Sequence, residues 1–225
     1  MKIDAYLSNL GKYASGQESG DWIRLPITQQ DFQQVCRRIG LDGIHYEEYF
    51  FPEYETDVPG LYDALPQFAD ISTLNYCAAC IRKLDEPSLN KLEAVLSVSG
   101  YVSEPADIIT LTQNLTVFDF YPDVKNEEEL GRYCIDKLKL LRINEEISWY
   151  FNYELYGETY AINTGGYFTE HGFFCENRTP IKQWDGIIPA EYIVSLLLPS
   201  LSKSEKTEAI KGRGGAAPVT ASTAF

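Results

Sequence analysis

Between Arg38 and Arg82 the chain contains no lysine and no arginine, yet the same interval holds Asp42, Glu47, Glu48, Glu53, Glu55, Asp57, Asp63 and Asp70. A second cation-free interval, from Lys91 to Lys125, holds Glu93, Glu104, Asp107, Asp119 and Asp123. A third, from Arg142 to Arg178, holds Glu145, Glu146, Glu154, Glu158, Glu170 and Glu176. Neighbouring carboxylates repel, and ordinary acidic surfaces relieve the repulsion by mixing both signs. A chain that leaves cations out of three long stretches must spread its negative charge over a large surface. A row of small domains provides that surface better than one sphere does. The formal net charge is −14; residues from Ser200 onward carry +2, which leaves −16 on residues 1–199. A field of that sign repels nucleic acid and anionic membranes and attracts basic partners.

Apolar residues make up 44% of the chain, which supports packed cores and excludes a disordered acidic segment. Hydrophobic period and turn residues divide the chain into blocks. Residues 2–8 alternate as a strand with Ile3, Ala5 and Leu7 on one face, and a loop with Gly11, Gly16 and Gly20 follows. Residues 22–25 form a second predicted strand before Pro26. Thr28 caps a helix whose apolar stripe is Phe32, Val35, Cys36 and Ile39 and whose stop is Gly40. The aromatic-rich residues 46–51 form a third predicted strand, in which the adjacent Glu47 and Glu48 would point to opposite faces, and complete an N-terminal α+β domain, 1–60. Three short helices are predicted in 61–112, with Leu74, Cys77, Ile81 and Leu84 on the first. Pro87 opens the second, Gly100 stops it, and Ser103 caps the third. A C-terminal α+β domain, 113–192, begins with a strand at 115–121. Asn126 then caps a helix with Leu130, Cys134, Leu138 and Leu141 facing inward and Lys137, Lys139 and Arg142 near its end. Asn144 opens a helix through Phe151, and 167–176 reads as a hairpin with His171 and Gly172 at its turn. Residues 193–225 form an extension with a disordered basic tail. The expected architecture is α+β, with three small domains in an elongated row.

Chemistry-bearing patterns are sparse. Neither His45 nor His171 stands in a metal-ligand spacing, and both read as surface or turn residues. Cys77 and Cys80 form an isolated CxxC within an apolar helix pattern, so they read as buried thiols rather than zinc ligands. Phosphate loops, dinucleotide fingerprints and nucleophile elbows are missing from the sequence. No catalytic, cofactor or metal residue is assigned, and the expectation is a non-enzyme. Five cysteines without a disulfide pattern, no signal peptide and no apolar run long enough to span a bilayer predict a cytoplasmic protein.

The carboxylates therefore carry the functional reading. Asp31 and the cluster Glu127, Glu128 and Glu129 serve helix N-termini. Those expected to imitate phosphates are Asp42, Glu47, Glu48, Glu53, Glu55, Asp57, Asp63, Asp70, Glu104, Asp107, Asp119, Asp123, Glu145, Glu146, Glu154 and Glu158. Glu47, Glu48, Glu53, Glu55 and Asp57 have no cap to serve and rank highest, and on a strand Glu53, Glu55 and Asp57 would share one face.

Several runs resemble the ArdA-type antirestriction proteins. Residues 5–13 read Ala-Tyr-Leu-Ser-Asn-Leu-Gly-Lys-Tyr, followed by Gly20-Asp21-Trp22 and Leu25-Pro26. Tyr46-Glu47-Glu48-Tyr49, Tyr153-Glu154-Leu155-Tyr156-Gly157 and the Gly-Tyr-Phe-Thr…His-Gly-Phe hairpin at 166–173 follow in the same order. The resemblance implies a protein encoded on a mobile element, without catalysis. It implies an elongated three-domain homodimer, joined through its C-terminal domain, that imitates bent B-form DNA. By similarity it occupies the DNA site of a type I restriction–modification enzyme, on the specificity subunit and methyltransferase. The alternatives are an acidic adaptor for another basic DNA-associated protein and an enzyme with a carboxylate pocket. The resemblance ends near Trp184 and says nothing of 186–225.

Overall fold

A computed structural model describes residues 1–98 and 100–196. The expected basic tail from Ser200 onward lies outside these residues. Among the described residues the fold is mixed α+β, with eight α-helices and two three-stranded antiparallel sheets. No helix among them is long and apolar enough to cross a membrane.

The first sheet has β1 (Ile3–Asn9) between β2 (Gly20–Arg24) and β3 (Tyr49–Thr56). Ile3, Ala5 and Leu7 point into the core as the alternation predicts. Two details of this region differ from the sequence reading. The glycine-bearing stretch after β1 contains a short helix, α1 (Leu10–Ala14), because the buried Asn9 side chain accepts the Lys12 N–H and caps it. The third strand begins at Tyr49 rather than Tyr46, since the Asp42 carboxylate folds residues 44–46 into a turn. The helix α2 (Gln29–Ile39) is capped by Thr28, buries Phe32, Val35, Cys36 and Ile39, and ends at Gly40 in the left-handed conformation.

Three helices follow: α3 (Ile71–Arg82), α4 (Glu86–Leu96) and α5 (Pro105–Gln113). Asp70 and Asp85 cap the first two. The second ends at Leu96, before Gly100. The N-cap of α5 is Glu104, not Ser103: Asp107 accepts the Ser103 and Glu104 N–H groups and the Ser103 hydroxyl, which places Ser103 outside the helix. Cys77 and Cys80 are buried on α3.

The second sheet has the order β4 (Phe118–Pro122), β6 (Gly172–Glu176), β5 (Tyr167–Thr169). Residues 115–117, expected in the strand, form a 3₁₀ turn. Helix α6 (Glu127–Asp136) is capped by Asn126 as expected, but it ends at Asp136, and Leu141 is exposed instead of lining its core face. Lys139 at φ 58° turns the chain away. The helix opened by Asn144 is the single turn α7 (Glu145–Ser148) and does not reach Phe151. A longer helix absent from the sequence reading, α8 (Tyr153–Thr164), lies against α6. A Cβ on Gly131 would come within 1.9 Å of the Tyr153 carbonyl oxygen, and one on Gly157 within 1.8 Å of that of Glu127. The two glycines thus let the helix backbones touch.

Most buried apolar side chains of the first sheet and of α2 to α5, together with Phe118 and Phe174, belong to one continuous core, which also takes in Val194. A smaller core joins Tyr121, Val124, Leu130, Cys134, Phe173 and Cys175.

Candidate partner-binding surface

Fifteen of the sixteen candidate carboxylates are exposed, and Asp107 is half-buried. Their surroundings separate them into two groups. Seven are engaged in holding local structure. Asp42 accepts the N–H groups of Ile44, His45 and Tyr46 and pairs with the His45 ring. Slight desolvation opposes its ionisation, but these donors outweigh it and hold the carboxyl well below the usual aspartate range. Asp70 caps α3 and also accepts the Thr73 hydroxyl. Glu104 and Asp107 form a capping box on α5. Asp119 accepts the Asn177 amide at 3.2 Å. Glu55 and Asp57 complete this group.

Within the group ranked highest, the row Glu53 to Asp57 owes its display to an irregularity. Tyr6 pairs with Glu53, but Ser8 pairs with Phe50, so β3 has one residue more than β1 at this point. Pro52 lies in the bulge, on an edge strand that needs no donor there. Beyond the bulge Tyr54 turns inward, and Glu53, Glu55 and Asp57 turn to solvent together, as expected.

That face is not free of cations. Strand pairing sets Glu55 opposite Asp4, and Asp4 opposite Arg24. Lys2 Nζ lies 2.6 Å from Glu55 and 3.6 Å from Asp4, and Arg24 Nε lies 2.9 Å from Asp4. The hydrogen bond to Glu55 raises the Lys2 pKa, and the one from Arg24 lowers that of Asp4. Asp57 accepts the Lys2 N–H at 2.6 Å, which pulls its pKa down, and lies 3.4 Å from the amino terminus. Of the three carboxylates in this row only Glu53 stands unpaired, beside the edge-to-face rings of Tyr6 and Trp22 on the outer sheet surface. Lys2 and Arg24 are the residues the linear reading missed; the strand order is the signal that brings them in.

The second group comprises Glu47, Glu48, Glu53, Asp63, Asp123, Glu145, Glu146, Glu154 and Glu158. Among the described residues, no hydrogen bond or ion pair engages these side chains. Glu47 and Glu48 lie in the loop before β3, not on opposite faces of a strand, and both are exposed. Glu145, Glu146 and Glu154 occupy the first turns of α7 and α8, where the helix dipole also favours them. Glu158 stands on the exposed side of α8.

Exposed apolar side chains gather in the same region as α7 and α8. Trp149 and Tyr150 are 87% and 90% exposed, and Ile147, Leu155 and Ile162 are exposed with them. His171, at the hairpin tip, is half-buried rather than a bare surface residue, with Nδ1 3.5 Å from Glu93 of α4. Among the described residues no group of His, Cys, Asp and Glu is arranged to hold a metal ion.

Comparison with protein families then places the chain. Residues 5–175 match the model described as antirestriction protein (ArdA). The chain belongs to the ArdA family. Membership implies a non-catalytic antirestriction function exerted on restriction–modification enzymes. No curated protein matches the chain.

Proposed function

We propose that this ArdA-family chain is an acidic DNA mimic that competes with DNA for the binding site of type I restriction–modification enzymes. The supporting observation is the second group of carboxylates: exposed, without cationic partners, and distributed over all three blocks. Duplex DNA presents about one charge per 1.7 Å of axis, and proteins gain much of their affinity for it from phosphate contacts alone. A surface of unpaired carboxylates supplies the same counter-charge to lysines and arginines without presenting bases. The engaged carboxylates add to the field while serving caps and turns.

In this reading the three blocks, 1–60, 61–112 and 113–192, act as three sections of one elongated acidic surface, which docks on the specificity subunit and methyltransferase in the cytoplasm. A homodimer through the third block extends that surface. The exposed Trp149, Tyr150, Ile147, Leu155 and Ile162 offer the apolar area such an interface needs. The test is a titration of the protein into a preformed complex of a type I methyltransferase with a labelled duplex. Displacement that weakens as salt rises is expected. Absence of displacement, or displacement indifferent to salt, rejects the proposal; capture of a different basic protein by the same surface points to the adaptor reading.

A further inference from the structure

We propose that residues 177–196, which lie beyond the family match, form a strap that locks the three blocks into one fixed arrangement. It rests on the mimic reading only for its purpose, since spaced charges imitate DNA only while their spacing is held.

The strap leaves β6 and is fastened stepwise. Asn177 donates its N–H to the Val117 carbonyl and its side-chain amide to that of Thr116, both at 2.9 Å. Asn114, at the end of α5, then pairs with the backbone of Lys182 in both directions, donating at 2.9 Å and accepting at 3.0 Å. Thr110 accepts the Trp184 N–H. The rings of Trp184 and Tyr192 both rest on Tyr76 of α3, with centroids 6.0 and 5.5 Å away. Asn75 donates to the Tyr192 carbonyl at 3.0 Å while also holding the Ile27 N–H and carbonyl, which lead into α2. The Ser72 hydroxyl both donates to and accepts from the Val194 backbone. Gln29, in the first turn of α2, closes the series with a two-way pairing to Ser195 at 2.7 and 2.8 Å. The path starts in the third block, crosses the second and ends on the first.

Two features mark this as a built receptor rather than a segment lying on a surface. Ser72, Asn75, Thr110 and Asn114 are all buried, and each pairs with strap backbone. Without the strap, polar groups on α3 and α5 that are now satisfied would lose partners, a cost that buried amides and hydroxyls carry heavily. Val194 is also 3% exposed and belongs to the main core. Side chains bonding to backbone in both directions recognise an extended chain regardless of its side chains, with Trp184, Tyr192 and Val194 setting the register.

The experiment uses the full chain with spin labels on Gln34→Cys in α2 and Asn163→Cys in α8, both exposed positions outside the candidate surface. The five native cysteines are buried and so shielded from labelling. The distance distribution between labels is measured in the parent, in Trp184→Ala with Val194→Asp, and in the milder Gln29→Ala, which removes only the last fastening. A narrow distribution in the parent, broadened about twofold in the double variant and less in Gln29→Ala, is expected. Amide exchange should rise about tenfold or more in α3 and α5 of the double variant but not in α6. Unchanged widths and exchange in both variants overturn the proposal and assign the rigidity to the shared core alone. If the double variant does not fold, Gln29→Ala decides by the same widths and by exchange at the first turn of α2. Neither readout involves inhibition, so failure of the mimic reading, seen as absence of DNA displacement by the parent, is a separate result.

Discussion

The carboxylate of Asp42 has two properties that pull in different directions for a reading of function. It is exposed and acidic, as a phosphate mimic should be, yet three backbone N–H groups converge on it. Asp42→Ala leaves those donors to water and should destabilise the fold by about 1–2 kcal/mol at neutral pH, as loss of a capping acceptor does. Because the folded carboxyl titrates below its unfolded value, near ~3.9, its stabilisation is complete above that pH and is lost as the pH falls toward the folded pKa. Urea melts of parent and variant should therefore differ most at pH 6–7 and converge on acidification below about pH 4. A difference that grew with acid would contradict the assignment. Its turn was not legible beforehand: an Asp followed by Gly43 signals a turn, but nothing in the residue types distinguishes an acceptor of three N–H groups from a free carboxylate.

At the scale of elements, strands and caps were legible where one residue type has one use. Alternating Ile3, Ala5 and Leu7, the Thr28 and Asn126 caps and the Gly40 stop all appear where their chemistry requires them. Helix α8 was not, because Tyr153, Leu155, Tyr156, Tyr160 and Ile162 do not form one apolar stripe, and Leu155 and Ile162 face solvent. What fixes α8 is the Gly131–Gly157 approach, which a search for apolar periodicity does not see. Gly157→Ala should cost about 3 kcal/mol or more, beyond ordinary overpacking, since its Cβ meets backbone that no rotamer change can move. Thermal melts that place the variant within about 1 kcal/mol of the parent would refute the contact. The cations beside the candidate surface were not legible for an element-level reason as well. Cation-free intervals are linear, whereas β1 lies between β2 and β3 and carries Lys2 and Arg24 to the Glu55 row. Lys2→Gln with Arg24→Gln frees Asp4 and Glu55, so it should strengthen displacement of DNA from a methyltransferase and steepen its dependence on salt. Weaker displacement by a variant of unchanged stability would exclude the sheet face from the binding surface.

Across the whole molecule, the same nine unpaired carboxylates lie on every block, and this distribution makes a prediction that no single site does. Each is exposed and screened, so one of them contributes no more than about 1 kcal/mol to a contact. Glu53→Lys should accordingly reduce affinity for the methyltransferase by no more than about thirtyfold, since reversing an exposed charge at most doubles the loss of removing it. Contributions from distant, independent sites add in free energy. Glu53→Lys, Asp123→Lys and Glu158→Lys combined, one in the first block and two in the third, should then lose roughly the product of the single effects. The comparison that matters is a titration series of the three single variants, the three pairs and the triple at two salt concentrations. Multiplying losses, with the triple least sensitive to salt, describe a surface read by its field. A single substitution that abolishes displacement while the other two do nothing describes a localised anchor instead, and the carboxylates of the remaining blocks would then serve solubility rather than recognition.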